Sequence, residues 1–392
     1  MTDFGTYFDH AATTPVRPEV KTAMLPFFDI YFGNPGSLHQ FGFSARDALE
    51  AARTTIAKTI GAHSKEIVFT ASGTESNNLA IIGLAKRLHR LGKGNHIITS
   101  AIEHPSVLET CKNLQRSGFK VTFVPVDSSG RVNAEDVINA VEPETILVSI
   151  MHGNNVTGTM QPISEIGSRL KGSDVLFHCD AVQSYGKVPI DVSQWNVDLL
   201  TMNAHKIGGP KGVAALYIRK GIRLDPLIYG GGQERNMRSA TQNVPGIVGF
   251  AKAAELANNE QMMEFQRLQD MRKRMIDRLL HTIPGCKING DMDNCLPTHV
   301  NISIDQIEGQ TLMLELDRLG FATSSGSACS SHDHEPSYVL LAMGKTNEIA
   351  LESLRITLGK TTTRENVDAL CAALEHIAGQ LRLQAQVISG RF

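Results

Sequence analysis

A lysine that follows an apolar strand and sits in a glycine-bordered turn is placed for chemistry. The stretch Asn203-Ala-His-Lys-Ile-Gly-Gly-Pro-Lys-Gly212 follows one strand-like run, Val197 to Met202, and precedes another, Val213 to Ile218. Lys206 is therefore expected in a tight loop just past a strand end. A desolvated amine in such a loop can lose its proton near neutral pH and form an imine with a carbonyl. Taken alone, the same residues suit a solvated loop lysine better, so the rest of the chain has to decide.

Other reactive types recur at comparable places. Ser72-Gly73-Thr74 opens a helical pattern, where free backbone amides and the Thr74 hydroxyl suit a phosphate as well as a plain helix cap. Asp180 directly follows an apolar strand, where a carboxylate calls for a cation, a salt-bridge partner or a protonated ring nitrogen. His104 and His205 can stack on a ring, hold phosphate or simply pack. Ser324-Ser-Gly-Ser-Ala-Cys329-Ser-Ser331 is a run of small polar residues that suits an exposed loop, and a thiol there can attack sulfur. Arg355 begins an apolar strand-like run and can grip a carboxylate with two prongs or bridge two domains. An amine, a carboxylate, a histidine face and a phosphate cup in one pocket together fit a phosphorylated pyridine aldehyde, pyridoxal phosphate.

The elements that must bring these groups together read as strands alternating with helices. Strand-like runs at 66–70, 96–100, 120–124, 145–151 and 175–179 are separated by helical patterns at 75–90, 105–116, 134–141 and 163–170. This alternation predicts an α/β fold with a largely parallel sheet, helices on both faces and the ligand site beyond the carboxyl ends of the strands. The loops at 72–76, 103–104, 152–155, 180–183 and 203–206 then share one edge. After Pro245 a long helical stretch, about 246–280, leads into an α+β region. We expect a large domain over 15–255 and a smaller one formed by 1–14 and 256–392, which carries Cys329.

Composition narrows the function. With 392 residues and a net charge of −2, nothing favours a nucleic-acid partner or an anionic membrane. No signal-peptide pattern or membrane-length apolar stretch is present, and the cysteines at 111, 179, 286, 295, 329 and 371 lack CxxC spacing, so a reducing, cytoplasmic setting is expected. Nicotinamide and nucleoside-triphosphate loop motifs are absent. His332-Asp333-His334 is a poor metal site because adjacent residues seldom converge on one ion, so no metal is expected.

On Asp9-His-Ala-Ala-Thr-Thr-Pro15, Phe32-Gly-Asn-Pro35, Gly73-Thr-Glu-Ser76, Glu103-His-Pro105, Asn154-Asn155, His178-Cys-Asp180-Ala-Val-Gln183, His205-Lys206, Gly230-Gly-Gly-Gln-Glu-Arg235, Ser324 to Cys329 and Arg355, the chain resembles the NifS/IscS-like cysteine desulfurases. These belong to the fold-type I pyridoxal phosphate enzymes, and the likeness runs nearly end to end. The string around Cys329 is specific to the subgroup with a long catalytic loop. The resemblance implies that Lys206 carries the cofactor and moves protons, Asp180 pairs with the ring nitrogen, His104 stacks on the ring and Gln183 meets its phenolic oxygen. It gives Gly73, Thr74, Asn203 and His205 to the phosphate, and brings Thr241 there from a neighbouring subunit of a homodimer. Asn155 and Arg355 would bind the carboxylate of L-cysteine, Asn155 also touching the cofactor, and Cys329 would take the sulfur as a persulfide.

The implied partner is a sulfur-acceptor or iron–sulfur scaffold protein, with Cys329 also able to ligate a transferred cluster. A cystine or cysteine-conjugate lyase, or a selenocysteine lyase, is the neighbouring alternative. The chain departs from the family at Asn203, where serine or threonine is usual, at Val156 in place of glutamate, and at Asn236 and Ala240 in place of glycines.

Overall fold

The computed structural model describes residues 6–325 and 335–388. Seven strands form one sheet: β1 (Ile67–Thr70), β2 (His96–Ser100), β3 (Lys120–Val124), β4 (Thr145–Ser149), β5 (Leu176–Asp180), β6 (Leu199–Asn203) and β7 (Ala214–Ile218). Their spatial order is β1-β7-β6-β5-β4-β2-β3. Every pairing is parallel except the two made by β7, which runs antiparallel to β1 and β6. The carboxyl ends of β1, β2, β4, β5 and β6 therefore share one edge, as the βα alternation predicts. Buried side chains fill both faces, since β1, β2, β4, β6 and β7 are buried along their whole length.

A four-stranded antiparallel sheet follows: β8 (Cys286–Ile288), β9 (His299–Ile304), β10 (Ser324–Ser325) and β11 (Ser353–Thr357), in the order β10-β11-β9-β8. The first described residues join it. Tyr7 bridges Ala322, Asp9 bridges Thr357, and Phe8 is fully buried in its core. The helix Val244–Thr282 serves both sheets. Ile247, Phe250, Ala251 and Ala254 pack in the core under the first, and Leu268, Met271, Met275 and Leu279 in the core under the second. The division expected at residue 255 thus falls inside a continuous helix, and we propose that the two domains share this helix instead of meeting at a linker.

The helix Gln40–Lys58 has no counterpart among the sequence expectations. It buries Leu49, Ala52, Ile56 and Ala57 in the first core, and its Arg53 makes a two-pronged pair with Glu234, with Nη1–Oε2 at 2.7 Å and Nη2–Oε1 at 3.0 Å. Glu234 also accepts from the Phe69 amide on β1. This fully enclosed pair ties the segment Gly230–Thr241 to the sheet. In that segment both departures from glycine have positive φ, 61° at Asn236 and 152° at Ala240. Asparagine tolerates the left-handed region, whereas alanine is strained there. Replacing Ala240 by glycine is expected to raise the unfolding free energy by about 1 kcal/mol; denaturant melts measure it, and a lower midpoint would show that the backbone is unstrained at 240.

Candidate active site

Asp180 closes β5 and is 5 % exposed. One carboxylate oxygen accepts from the Val182 amide at 2.9 Å, and the other from the Asn77 side-chain amide at 2.7 Å. Asn77 lies on the helix that opens after β1 with Ser72 as its cap, the Ser72 hydroxyl accepting from the Glu75 amide. The same Asn77 amide donates to the Ser106 hydroxyl at 2.9 Å, and that hydroxyl lies 2.8 Å from Nδ1 of His104. A continuous polar chain therefore links Asp180 to His104. Nδ1 of His104 also accepts from the Ser106 backbone N–H at 3.1 Å, which leaves the proton of the neutral ring on Nε2. Burial, opposed by Asp180 and assisted by Lys206, pushes the His104 pKa down. Burial and the acceptor role of Nδ1 both favour the neutral ring.

On the opposite side, Lys206 follows β6 and directs Nζ to the carbonyls of Ala11 and Ala12, at 2.5 and 2.7 Å. Gln183 donates to the same Ala11 carbonyl at 2.9 Å. His205 sits 3.1 Å from the Thr13 hydroxyl, its pKa pushed down to about 4 first by burial and then by Lys206, Lys211 and Lys187. The Asn203 side-chain oxygen accepts from the His205 amide, so its NH2 faces the other way, toward Gly73. A side chain at Gly73 would meet Val182 at 2.9 Å and the Asn203 NH2 at 3.4 Å, so only glycine leaves this cradle open. The first amides of the helix have no partner inside it. Together with the Asn203 donor they form an anion cup.

These groups line one cavity of about 360 Å³, bounded by Gly73, Thr74, His104, Asn155, Asp180, Gln183, Asn203, His205, Lys206 and Arg355. Arg355 reaches it from β11. Its Nη1 donates to the Asn155 carbonyl at 3.0 Å and its Nη2 to Asp9 at 2.8 Å, while Nε and the side-chain oxygen of Asn155 are buried without a hydrogen-bond partner. Orphaned buried polar groups are costly, and these two border the cavity, where a polar ligand would satisfy them.

Thr241, expected to serve a neighbouring subunit, is exposed and does not line this cavity. His152 packs edge-on against Trp195, with ring centres 4.5 Å apart, and stays outside it. Cys329 and His332 to His334 lie outside the described residues. Their flanks are placed: Ser324 pairs with Arg355 across β10 and β11, and the Tyr338 hydroxyl donates to the Glu103 carbonyl beside His104 at 2.7 Å. Among the described residues no group of three His, Cys, Asp or Glu side chains comes together as a metal site, and no helix is long and apolar enough to cross a membrane.

Sequence reasoning missed Asn77, Ser106 and the carbonyls of Ala11 and Ala12. An Asn in the second turn after a capping serine carries no chemistry until Asp180 is seen opposite it.

Residues 6–370 match the family described as aminotransferase class-V. The chain belongs to this family. It is 49 % identical over 376 residues to the cysteine desulfurase IscS of Dictyoglomus turgidum, covering 96 % of this chain and 95 % of that one. A solved structure described as a NifS-like protein superposes with a TM-score of 0.89 at 40 % identity, covering 95 % of this chain and 99 % of that one. A second, SspA in complex with cysteine, gives 0.80 at 38 % identity, covering 91 % and 99 %. The chain therefore falls among the NifS/IscS-like cysteine desulfurases and has their fold-type I architecture.

Glu103 stands behind His104, fully buried. One oxygen accepts from Ser100 and the Met151 amide, the other has no partner, and burial pushes the carboxyl up to about 8. The unfolded chain ionises this group near 4.5 and the folded chain near 8, so between those values the unfolded state binds fewer protons and stability falls as pH rises. Glu103→Gln, which stays neutral and keeps the accepting oxygen, is expected to flatten that fall. Denaturant unfolding from pH ~5 to ~9 measures it, and an equal decline in both proteins would assign the effect to another group.

Proposed function

We propose that the cavity holds pyridoxal 5'-phosphate and that the enzyme is a cysteine desulfurase: L-cysteine gives its sulfur to Cys329 and leaves as L-alanine. The observation that carries this reading is the arrangement around Lys206. Within one cavity lie an amine, a carboxylate fixed by Asn77, a neutral histidine and an anion cup that a side chain at 73 would block. The bound cofactor supplies a carbonyl for the substrate amine and an electron-withdrawing ring that lowers the barrier to α-proton removal.

The chain's own residues do the rest. Asp180 balances a protonated ring nitrogen, and Lys206, held against Ala11 and Ala12 when free, takes and returns protons at the α-carbon. Arg355 presents its orphaned Nε–H to the substrate carboxylate, with Asn155 lining the cavity beside it. The Cys329 thiolate attacks the substrate sulfur, the carbon–sulfur bond breaks toward carbon, and a persulfide remains on the protein.

The other cysteines support this assignment. Cys111, Cys179, Cys286, Cys295 and Cys371 are all buried, and burial pushes Cys111 and Cys371 up to about 12 and Cys286 and Cys295 up to about 11. None of the five supplies a thiolate near neutral pH. Cys329 lies four residues beyond Ser325, a chain span of at most ~14 Å from a strand that pairs with Arg355.

A second copy of the chain suits the exposed apolar side chains of Phe28, Ile30, Phe32, Leu38, Phe41 and Tyr229, and would carry Thr241 toward a neighbour's phosphate cup. The persulfide is passed to an acceptor of iron–sulfur cluster assembly or another sulfur-transfer route.

Cys329→Ser is expected to lower alanine release at least ~100-fold while the bound-cofactor absorbance persists. Mass spectrometry of the wild-type protein after cysteine should find one added sulfur on Cys329. Undiminished sulfide release by the variant would establish a lyase instead. Asn203→Asp turns the donor of the anion cup into a like charge and should weaken cofactor binding by ~100-fold in an absorbance titration; unchanged affinity would move the phosphate elsewhere.

A further inference from the structure

Behind Lys206 lies a second chamber of about 470 Å³, walled by the apolar sides of Pro15, Pro18, Ile207, Leu268 and Leu358. Lys187 lines it. Among the described residues no carboxylate bonds to this lysine, and its Nζ donates only to the side-chain oxygen of Gln183, at 3.3 Å. A shielded ammonium without a counter-charge is costly and calls for an explanation. Lys206 and Arg355 act on it, as it acts on His10, His205 and His299; Glu19, Glu260 and Glu264 line the same chamber but pair with Arg17, Lys360 and Arg267 and make no bond to Lys187. Burial, then Lys206 and Arg355, push Lys187 down to about 7.

The bond to Gln183 has a stereochemical consequence. The Ala11 carbonyl only accepts, so the Gln183 atom beside it is the NH2, and the amide oxygen is left to accept from the Lys187 ammonium, which holds the amide against flipping. Its NH2 then points the other way, one hydrogen going to the Ala11 carbonyl at 2.9 Å and the other left for the cavity that Gln183 lines. The ligand atom opposite Gln183 therefore meets a donor. On the reading of the cavity as a pyridoxal phosphate site, that atom is the ring oxygen, which accepts best when it is ionised.

We propose that Lys187 is a positioning residue: it locks the Gln183 amide with its NH2 toward the cofactor's ring oxygen and sets a second cation beside Lys206. Both effects favour loss of a proton from the Lys206 side, the first by stabilising a negative oxygen and the second by like-charge repulsion.

The test compares Lys187→Met, which keeps length and removes both donor and charge, with Lys187→Arg, which keeps both and has the chamber to expand into. In the loaded enzyme, the pH midpoint of the bound-cofactor absorbance should rise by about one unit in Lys187→Met, a tenfold change in proton affinity, and return toward wild type in Lys187→Arg. In the cofactor-free chain, the pH at which Lys206 becomes half-reactive in competitive acetylation, read by peptide mass spectrometry, should rise in Lys187→Met as well. Unchanged midpoints in both experiments would overturn the role. A shift in the cofactor-free chain alone, with no cofactor absorbance in the wild-type enzyme, would uphold the effect of Lys187 on Lys206 and reject the cofactor assignment instead.

Discussion

The bond between the Asn77 amide and the Asp180 carboxylate is the joint on which the site is built. A carboxylate at the end of a buried central strand is affordable only with fixed donors, and this protein supplies them from a backbone amide and from the helix that follows β1. That helix thereby lies so close to β5 and β6 that a side chain at Gly73 would run into Val182 and Asn203, and the glycine leaves the anion cup open. Through Ser106 the same amide fixes the orientation of His104. Carboxylate, cup and imidazole are consequently one rigid unit, and a ligand meeting all three finds them already in place.

Much of this was legible in the sequence, for reasons specific to particular residues. The helices at 105–116 and 163–170 have clear periodicity and bury the residues that periodicity marks, and the apolar run at 145–151 contains the fully buried strand Thr145–Ser149. The loops carrying Gly73, His104, Asn155, Asp180 and Lys206 meet because every one of them follows a strand running the same way. The helix Gln40–Lys58 escaped notice although Ala45, Leu49, Ala52 and Ile56 recur on one face. Alanines on that stripe weaken the apolar contrast, and only its packing against the long helix makes it evident. The short strands Cys286–Ile288 and Ser324–Ser325 carry no pattern of their own, because their partners β9 and β11 define them.

What local patterns do not announce are the contacts made between distant segments. The carbonyls of Ala11 and Ala12 hold Lys206 and Gln183 from nearly two hundred positions away. Lys187 stands four residues after Gln183, and gains meaning only when no acid is found bonded to it. The acidic partners lie at the mouth of the rear chamber and are already taken, Glu260 by Arg17 and Lys360, and Glu264 by Lys360 and Arg267.

Arg355 gives the second sheet its place in the chemistry. It stands on β11 between Asn301 of β9 and Ser324 of β10, and it is clamped to Asp9, itself bridged to Thr357 on the same strand. A ligand acid that settles on its free Nε therefore loads the very strand against which a ladder of only two residues, 324 and 325, is laid. The polypeptide that leads to Cys329 departs from that ladder. On the function proposed above, the strand that receives the ligand acid and the root of the segment bearing the thiol share one pairing, Ser324 opposite Arg355.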